Sequence, residues 1–311
     1  MTALFYVLIY AATIVFLSGC AVRAYRYWSA PVHLRWELYP VPHEEARRAE
    51  HGGSYFESVD WWKQPSHFNL WGEVKFMVPE MAFLKGLWEF NRKMWLRSFP
   101  FHFGLYLLIG AFALIFADAA GTLFIPGFGQ GAISGLLHSV YKATGIIGGL
   151  MGLIGAVGLL HRRLTDRDLR NYTTAGDLLN LILFIATLSL LFLGFGLRGP
   201  SDPSASAILR GLLTFDASLH IPGLLAAALI VAGLVAAYVP MTHMSHFIAK
   251  WFTYHSVRWD DQPEFRSARL ARKVAEYLTY KPTWSAPHVG ADGTRTWVDI
   301  ATTNPAQGVK K

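Results

Sequence analysis

Residues 178–197 read LLNLILFIATLSLLFLGFGL. No charge interrupts this stretch, and its polar side chains are Asn180, Thr187 and Ser189. An uninterrupted apolar run of about 20 residues is what an α-helix needs to cross the hydrocarbon of a bilayer. Working outward, further runs of this kind lie at 3–21, 99–118, 133–160 and 218–247, beside the first at 177–197. The expectation is an all-α membrane protein with five transmembrane helices.

The composition agrees. Of 311 residues, 53% are hydrophobic and only 16% are charged, with a mean hydropathy of +0.30. An ordinary soluble domain is less apolar. The single cysteine, Cys20, excludes an intrachain disulfide. It also excludes an iron–sulfur cluster held by this chain alone and the C-x-x-C-H attachment of a c-type haem. Cys20 ends FLSGC, which looks like a lipidation box. However, no Lys or Arg precedes it, and Arg23 and Arg26 follow it, the reverse of a secretory signal. A spanning helix that contains a cysteine is the reading adopted.

The net charge of +7 is best understood by its placement, which implies no nucleic acid partner. Segments 21–98, 161–170 and 248–311 hold every Lys and Arg except Lys142, Arg198 and Arg210. Basic residues collect on the cytoplasmic side of membrane proteins. This places the N-terminus outside and the C-terminus in the cytoplasm.

The domain reading follows. Residues 1–21 are the first transmembrane helix, and 22–98 are a cytoplasmic insertion. Residues 99–257 form a region of four transmembrane helices, and 258–311 are a cytoplasmic docking segment. In the insertion, WGEVKFMVPEMAFLKGLWEFNRKMWLRS (71–98) interleaves aromatic and basic residues, as interfacial amphipathic helices do. Pro79 is expected to start the main helix there or kink it. In the tail, Trp284 and Trp297 suggest contact with another protein.

Cofactor chemistry must then come from the 12 histidines. Ionisable residues inside spans are rare and usually functional. His102 lies just inside the second span, His138 near the outer end of the third, and His220 at the start of the fifth. His243 and His246 lie near the inner end of the fifth, and His161 caps the third. If the fifth span is one helix, the 26 residues from His220 to His246 cover roughly 39 Å at about 1.5 Å per residue. That length puts one site in each leaflet, with His138 level with His220 and His102 level with His246. Neutral imidazole is a good axial ligand for haem iron, and helical bundles hold cofactors between facing helices. The small residues of GIIGGLMGLIGAVG (145–158) and GLLAAALIVAGLVAA (223–237) either leave room for a haem or let helices pack closely. Asp118, Asp216 and Lys142 lie near span ends and could assist proton transfer to a bound redox substrate, with solvated loop-end charges the favoured reading for the two aspartates.

FPFHFGLYLLIG (99–110) and the pattern P-M-T-H-M-S-H (240–246) resemble the gamma subunit of respiratory nitrate reductase, a five-span cytochrome b. RWELYPVPHE (35–44), FLKGLWEFNRKMW (83–95) and TWVDIATTNP (296–305) are similar to its branch in heterodisulfide-reductase-like and sulfate-reducer transmembrane redox complexes. The resemblance implies a di-haem b-type cytochrome subunit of a respiratory oxidoreductase in a bacterial or archaeal cytoplasmic membrane. It would transfer electrons between menaquinone and a cytoplasmic iron–sulfur partner. His102 and His246 match the inner haem ligands, and His220 matches an outer one. His243 falls where the family carries Lys or Arg, so the resemblance favours a place beside a propionate, with His243 in place of His246 as inner ligand the other reading. The family's other outer ligand comes ten residues after the first on the second span, where this chain has Phe112. His138 replaces it on depth alone. A haem-free membrane anchor that recruits a soluble redox enzyme is the alternative.

Overall fold

In hydrocarbon, a backbone amide must find its partner within the chain, and a helix provides one for nearly every residue. The computed structural model describes residues 2–29, 59, 69–253, 268–283 and 291–303. Helices form throughout, and no strand occurs among the described residues. Five helices are long and apolar enough to cross a membrane. They are α1 (Thr2–Ser29), α4 (Arg92–Phe124), α5 (Ala132–Thr165), α7 (Ala175–Gly196) and α9 (Gly223–Tyr238), the last extended by a 3₁₀ turn at Val239–Met241. Shorter helices are α2 (Leu70–Ala82), α3 (Lys85–Phe90), α6 (Arg167–Arg170), α8 (Ala205–Thr214), α10 (His246–Thr253), α11 (Ala268–Leu278) and α12 (Trp297–Thr302).

The chain divides into two compact units. One comprises Met1–Ala21 and Met77–Ser245, the other Val22–Phe76 and His246–Lys311.

In the first unit, each of α4, α5, α7 and α9 packs on the next. The α4–α5 contact is the tightest. A Cβ on Gly104 would lie 2.6 Å from the Gly148 carbonyl oxygen, and one on Gly155 would lie 2.6 Å from Phe101 Cα. On the opposite side of α5, a Cβ on Gly149 would lie 2.8 Å from the Phe192 ring of α7. Of the two readings open for the glycine stripe, close helix packing describes these positions. Helix α1 is fastened at its start to the segment before α9. Thr2 Oγ1 donates to the Leu219 carbonyl at 3.2 Å, Tyr6 Oη to that of Asp216 at 2.8 Å, and Tyr10 Oη to that of Leu212. Phe5 packs there with Ile208, Ile221 and Leu225 in the buried core.

The end of α2 and all of α3 lie against α4. Trp95 Nε1 donates to the Phe83 carbonyl at 2.8 Å, and Tyr106 Oη to that of Met81 at 2.9 Å. Trp88, Trp95, Phe99 and Phe103 form a continuous aromatic ladder, with centroid spacings of 4.8, 4.5 and 5.1 Å. The chain turns between α2 and α3 at Leu84, whose φ of 53° is unusual for a branched residue. Pro79 falls inside α2 and not at the start of a helix.

The fifth span differs from the expected single helix over 218–247. Pro240 has no amide hydrogen to continue the α-helical ladder. The chain tightens into 3₁₀ turns at Val239–Met241 and His243–Ser245 before α10 begins at His246. Thr242 sits in the break, donating to the Val239 carbonyl at 3.0 Å and accepting from Met244 N at 3.1 Å. The helical ruler drawn from His220 to His246 therefore does not hold. His243 and His246 do not share one helix face.

In the second unit, α11 rests on the end of α1. Lys273 Nζ donates to the Trp28 carbonyl at 3.1 Å, and the Arg269 guanidinium lies 5.0 Å from the Trp28 ring. Trp297 opens α12 and is half-buried. Trp284 and the stretch RWELYPVPHE lie outside the described residues.

Candidate functional site

His102 is positioned by the first turns of α4. Asn91 caps this helix through its side-chain oxygen, which accepts from Met94 N at 3.1 Å. Phe101 turns inward against α5 and meets Phe184 of α7 edge-on at 5.2 Å. His102, the next residue, is rotated by about 100° around the helix and is half-buried. Its Nδ1 lies 2.8 Å from the Ser98 carbonyl oxygen and 3.2 Å from Ser98 Oγ. A carbonyl can only accept, so Nδ1 carries a ring proton. A backbone bond of this kind fixes the tautomer and aim of metal-ligating histidines.

His243 is exposed and engaged differently. Its Nε2 faces Asn180 Nδ2 at 3.4 Å and Asp177 Oδ1 at 3.6 Å. Asp177 closes a capping box with Thr174 at the head of α7, and its other oxygen lies 3.4 Å from Arg163. Asn180 Oδ1 and Thr187 Oγ1, further along α7, are buried without a hydrogen-bond partner. His246 opens α10 and belongs to the second unit, whereas the other candidate histidines belong to the first.

At the far end of α4 the polar groups converge. Asp118 was expected to be a solvated loop-end charge, but it is only 4% exposed. Ser134, at the start of α5, reaches across and donates to Asp118 Oδ1 at 2.5 Å. One turn after Ser134 lies His138, whose Nδ1 is 2.6 Å from the hydroxyl of buried Tyr141. Asp118 and Arg198 act electrostatically on that hydroxyl. Tyr141 and His138 thus share one hydrogen bond, with the phenol donating to a bare Nδ1 or accepting from a protonated one. Ser206 Oγ, 1% exposed, has no partner. Leaving a buried hydroxyl unpaired costs about 1–3 kcal/mol.

His220 lies in the connector ahead of α9 with its ring exposed, between Leu219, whose carbonyl is bonded by Thr2, and buried Ile221. Lys142 is exposed, and so is Asp216, whose solvated reading agrees with the structure. Asp216 is held below the usual carboxylate range by the Ser218 hydroxyl and backbone amide. Phe112, at the position of the absent ligand, is 60% exposed on the outside of the chain.

Sequence reasoning missed Ser98, Ser134, Tyr141 and Ser206. Two of them carried a local signal. Ser98 precedes His102 by four residues and Tyr141 follows His138 by three, so each pair shares a helix face.

Among the described residues, no group of three or more His, Cys, Asp or Glu is placed to hold a metal ion. Bis-histidine ligation of a haem iron would use two imidazoles, and His102 has an Nδ1 bond of the kind that aims such a ligand. No protein-family model, curated protein or solved structure matched the chain.

Proposed function

We propose that this chain is a b-type cytochrome subunit of a quinone-linked respiratory oxidoreductase in a bacterial or archaeal cytoplasmic membrane. It exchanges electrons between menaquinone and a cytoplasmic iron–sulfur partner. The observation that carries this reading is His102, a membrane-helix imidazole whose Nδ1 is fixed by the Ser98 carbonyl. His102 would ligate one haem, and the resembled family's motif assigns its other ligand to His246. His220 and His138 are the candidates for a second, and His138 would ligate through Nε2 with Nδ1 donating to the Tyr141 oxygen. Bound haem would supply one-electron redox chemistry.

The protein's own residues orient and insulate. The Ser98 carbonyl aims His102. Phe101 and Phe184 pack the neighbouring face of α4, and the glycine contacts of α4 and α5 hold the helix in place. The Asn180–His243–Asp177 network supports reading His243 as a polar neighbour and not as a ligand. The basic segments 21–98 and 248–311 face the cytoplasmic partner.

Purified chain is expected to show the reduced α-band of low-spin b haem and a positive pyridine haemochrome assay. Absence of haem from folded protein would overturn this reading in favour of a haem-free membrane anchor.

A further inference from the structure

Asp118 is a carboxyl group buried between two membrane helices. The burial of an unpaired ionised carboxylate is expensive. No ion pair reaches Asp118 among the described residues; its contact is the Ser134 hydroxyl at 2.5 Å. A hydroxyl donates to a carboxylate and accepts from a carboxylic acid, so this contact survives either protonation state. The charged and titratable groups around the cluster are Tyr141 on α5 and Arg198 in the connector after α7, with His138 behind Tyr141. Helix α8 packs on α4 as well and carries the unpartnered, nine-tenths-buried hydroxyl of Ser206. A packed apolar bundle has no structural need for this set, and intramembrane ionisable groups mark proton and substrate paths.

We propose that Asp118 is a proton carrier, exchanging protons with a hydroquinone-class substrate at this end of the bundle. This rests on the quinone-linked reading. When a hydroquinone is oxidised, each O–H bond breaks in turn. Its proton adds to the Asp118 carboxylate, which becomes the neutral acid and then releases the proton to water. The two electrons leave singly to acceptors of the b-haem class, and the substrate becomes the quinone. Quinone reduction runs the same steps backwards.

The test is infrared difference spectroscopy on the full chain in lipid nanodiscs, triggered by adding a short-chain naphthohydroquinone. Wild type should show a carboxylic C=O band that shifts in D₂O. Asp118→Asn should lose that band, and Asp216→Asn should keep it. Ser134→Ala keeps the carboxyl but removes its hydrogen-bond partner, so the band should persist at higher frequency. This second variant answers the question if Asp118→Asn fails to fold. A wild type without the band, or a band unchanged in both Asp118→Asn and Ser134→Ala, overturns the proposal. Haem content is measured on the same samples. Haem present without the band overturns the Asp118 proposal alone, whereas absence of haem overturns the cytochrome reading on which it rests.

Discussion

Gly148 and Gly104 meet backbone to backbone, and a Cβ on Gly148 would lie 2.8 Å from the Gly104 carbonyl oxygen. Neither atom belongs to a flexible side chain, so any residue larger than glycine must push α4 and α5 apart. Gly148→Val is expected to destabilise the bundle by at least the roughly 1–3 kcal/mol typical of overpacking. Thermal melts followed by circular dichroism check this. Gly110→Ala, at a site with nothing within 4 Å, should melt within about 0.5 kcal/mol of wild type. Equal losses in the two variants would contradict the contact.

His102 and His138 have different Nδ1 partners, a backbone carbonyl and a tyrosine hydroxyl, which makes their roles separable. His102→Ala should remove one haem per chain by pyridine haemochrome. Ser98→Ala should retain it, because the bond to Nδ1 comes from the backbone carbonyl. Tyr141→Phe tests the other end. It removes the hydroxyl that holds His138, so it should leave haem content unchanged if His138 is Tyr141's partner alone. A haem lost from both Tyr141→Phe and His138→Ala would assign His138 to iron.

Thr242 holds the break after the fifth span through hydrogen bonds on both sides. Thr242→Val keeps the shape and removes both bonds. The loss should be about 1 kcal/mol, the usual worth of such a cap. It is to be read from the same melts and from faster amide exchange at Met244.

Helix α12 should fray in acid. The Thr296 hydroxyl and backbone amide hold the Asp299 carboxyl below the usual carboxylate range. A depressed carboxylate contributes its stabilisation above the unfolded-state pKa and loses it as pH falls through the folded value. The amide of Asp299, which donates to Thr296 Oγ1 at 3.3 Å, should therefore exchange faster below the ordinary carboxylate range. Asp299→Asn should remove that pH dependence.

The spans were legible because a membrane helix announces itself by length and apolarity, and 178–197 needed no partner to be recognised. The break after Tyr238 was not. Apolar residues continue past it, and Pro240 was the only local sign that the ladder stops there. The glycine stripe could be read two ways because the sequence of α5 does not say what opposes it; the Phe101 and Gly104 backbones do. Asp118 looked like a loop-end charge because its position near a span end suggested water. Its burial depends on Ser134, which arrives from the next helix. His138 was noticed and Tyr141 passed over, although their spacing of three residues was open to view.

The bonds from Thr2, Tyr6 and Tyr10 to Leu219, Asp216 and Leu212 also set an order of events in the making of the protein. Helix α1 finds these partners in a segment translated some 200 residues later. At about 5–20 residues per second, that is a wait of roughly 10–40 seconds. During it, the tyrosine face of α1 has none of these carbonyls to bond, and the fastening closes only when that segment arrives.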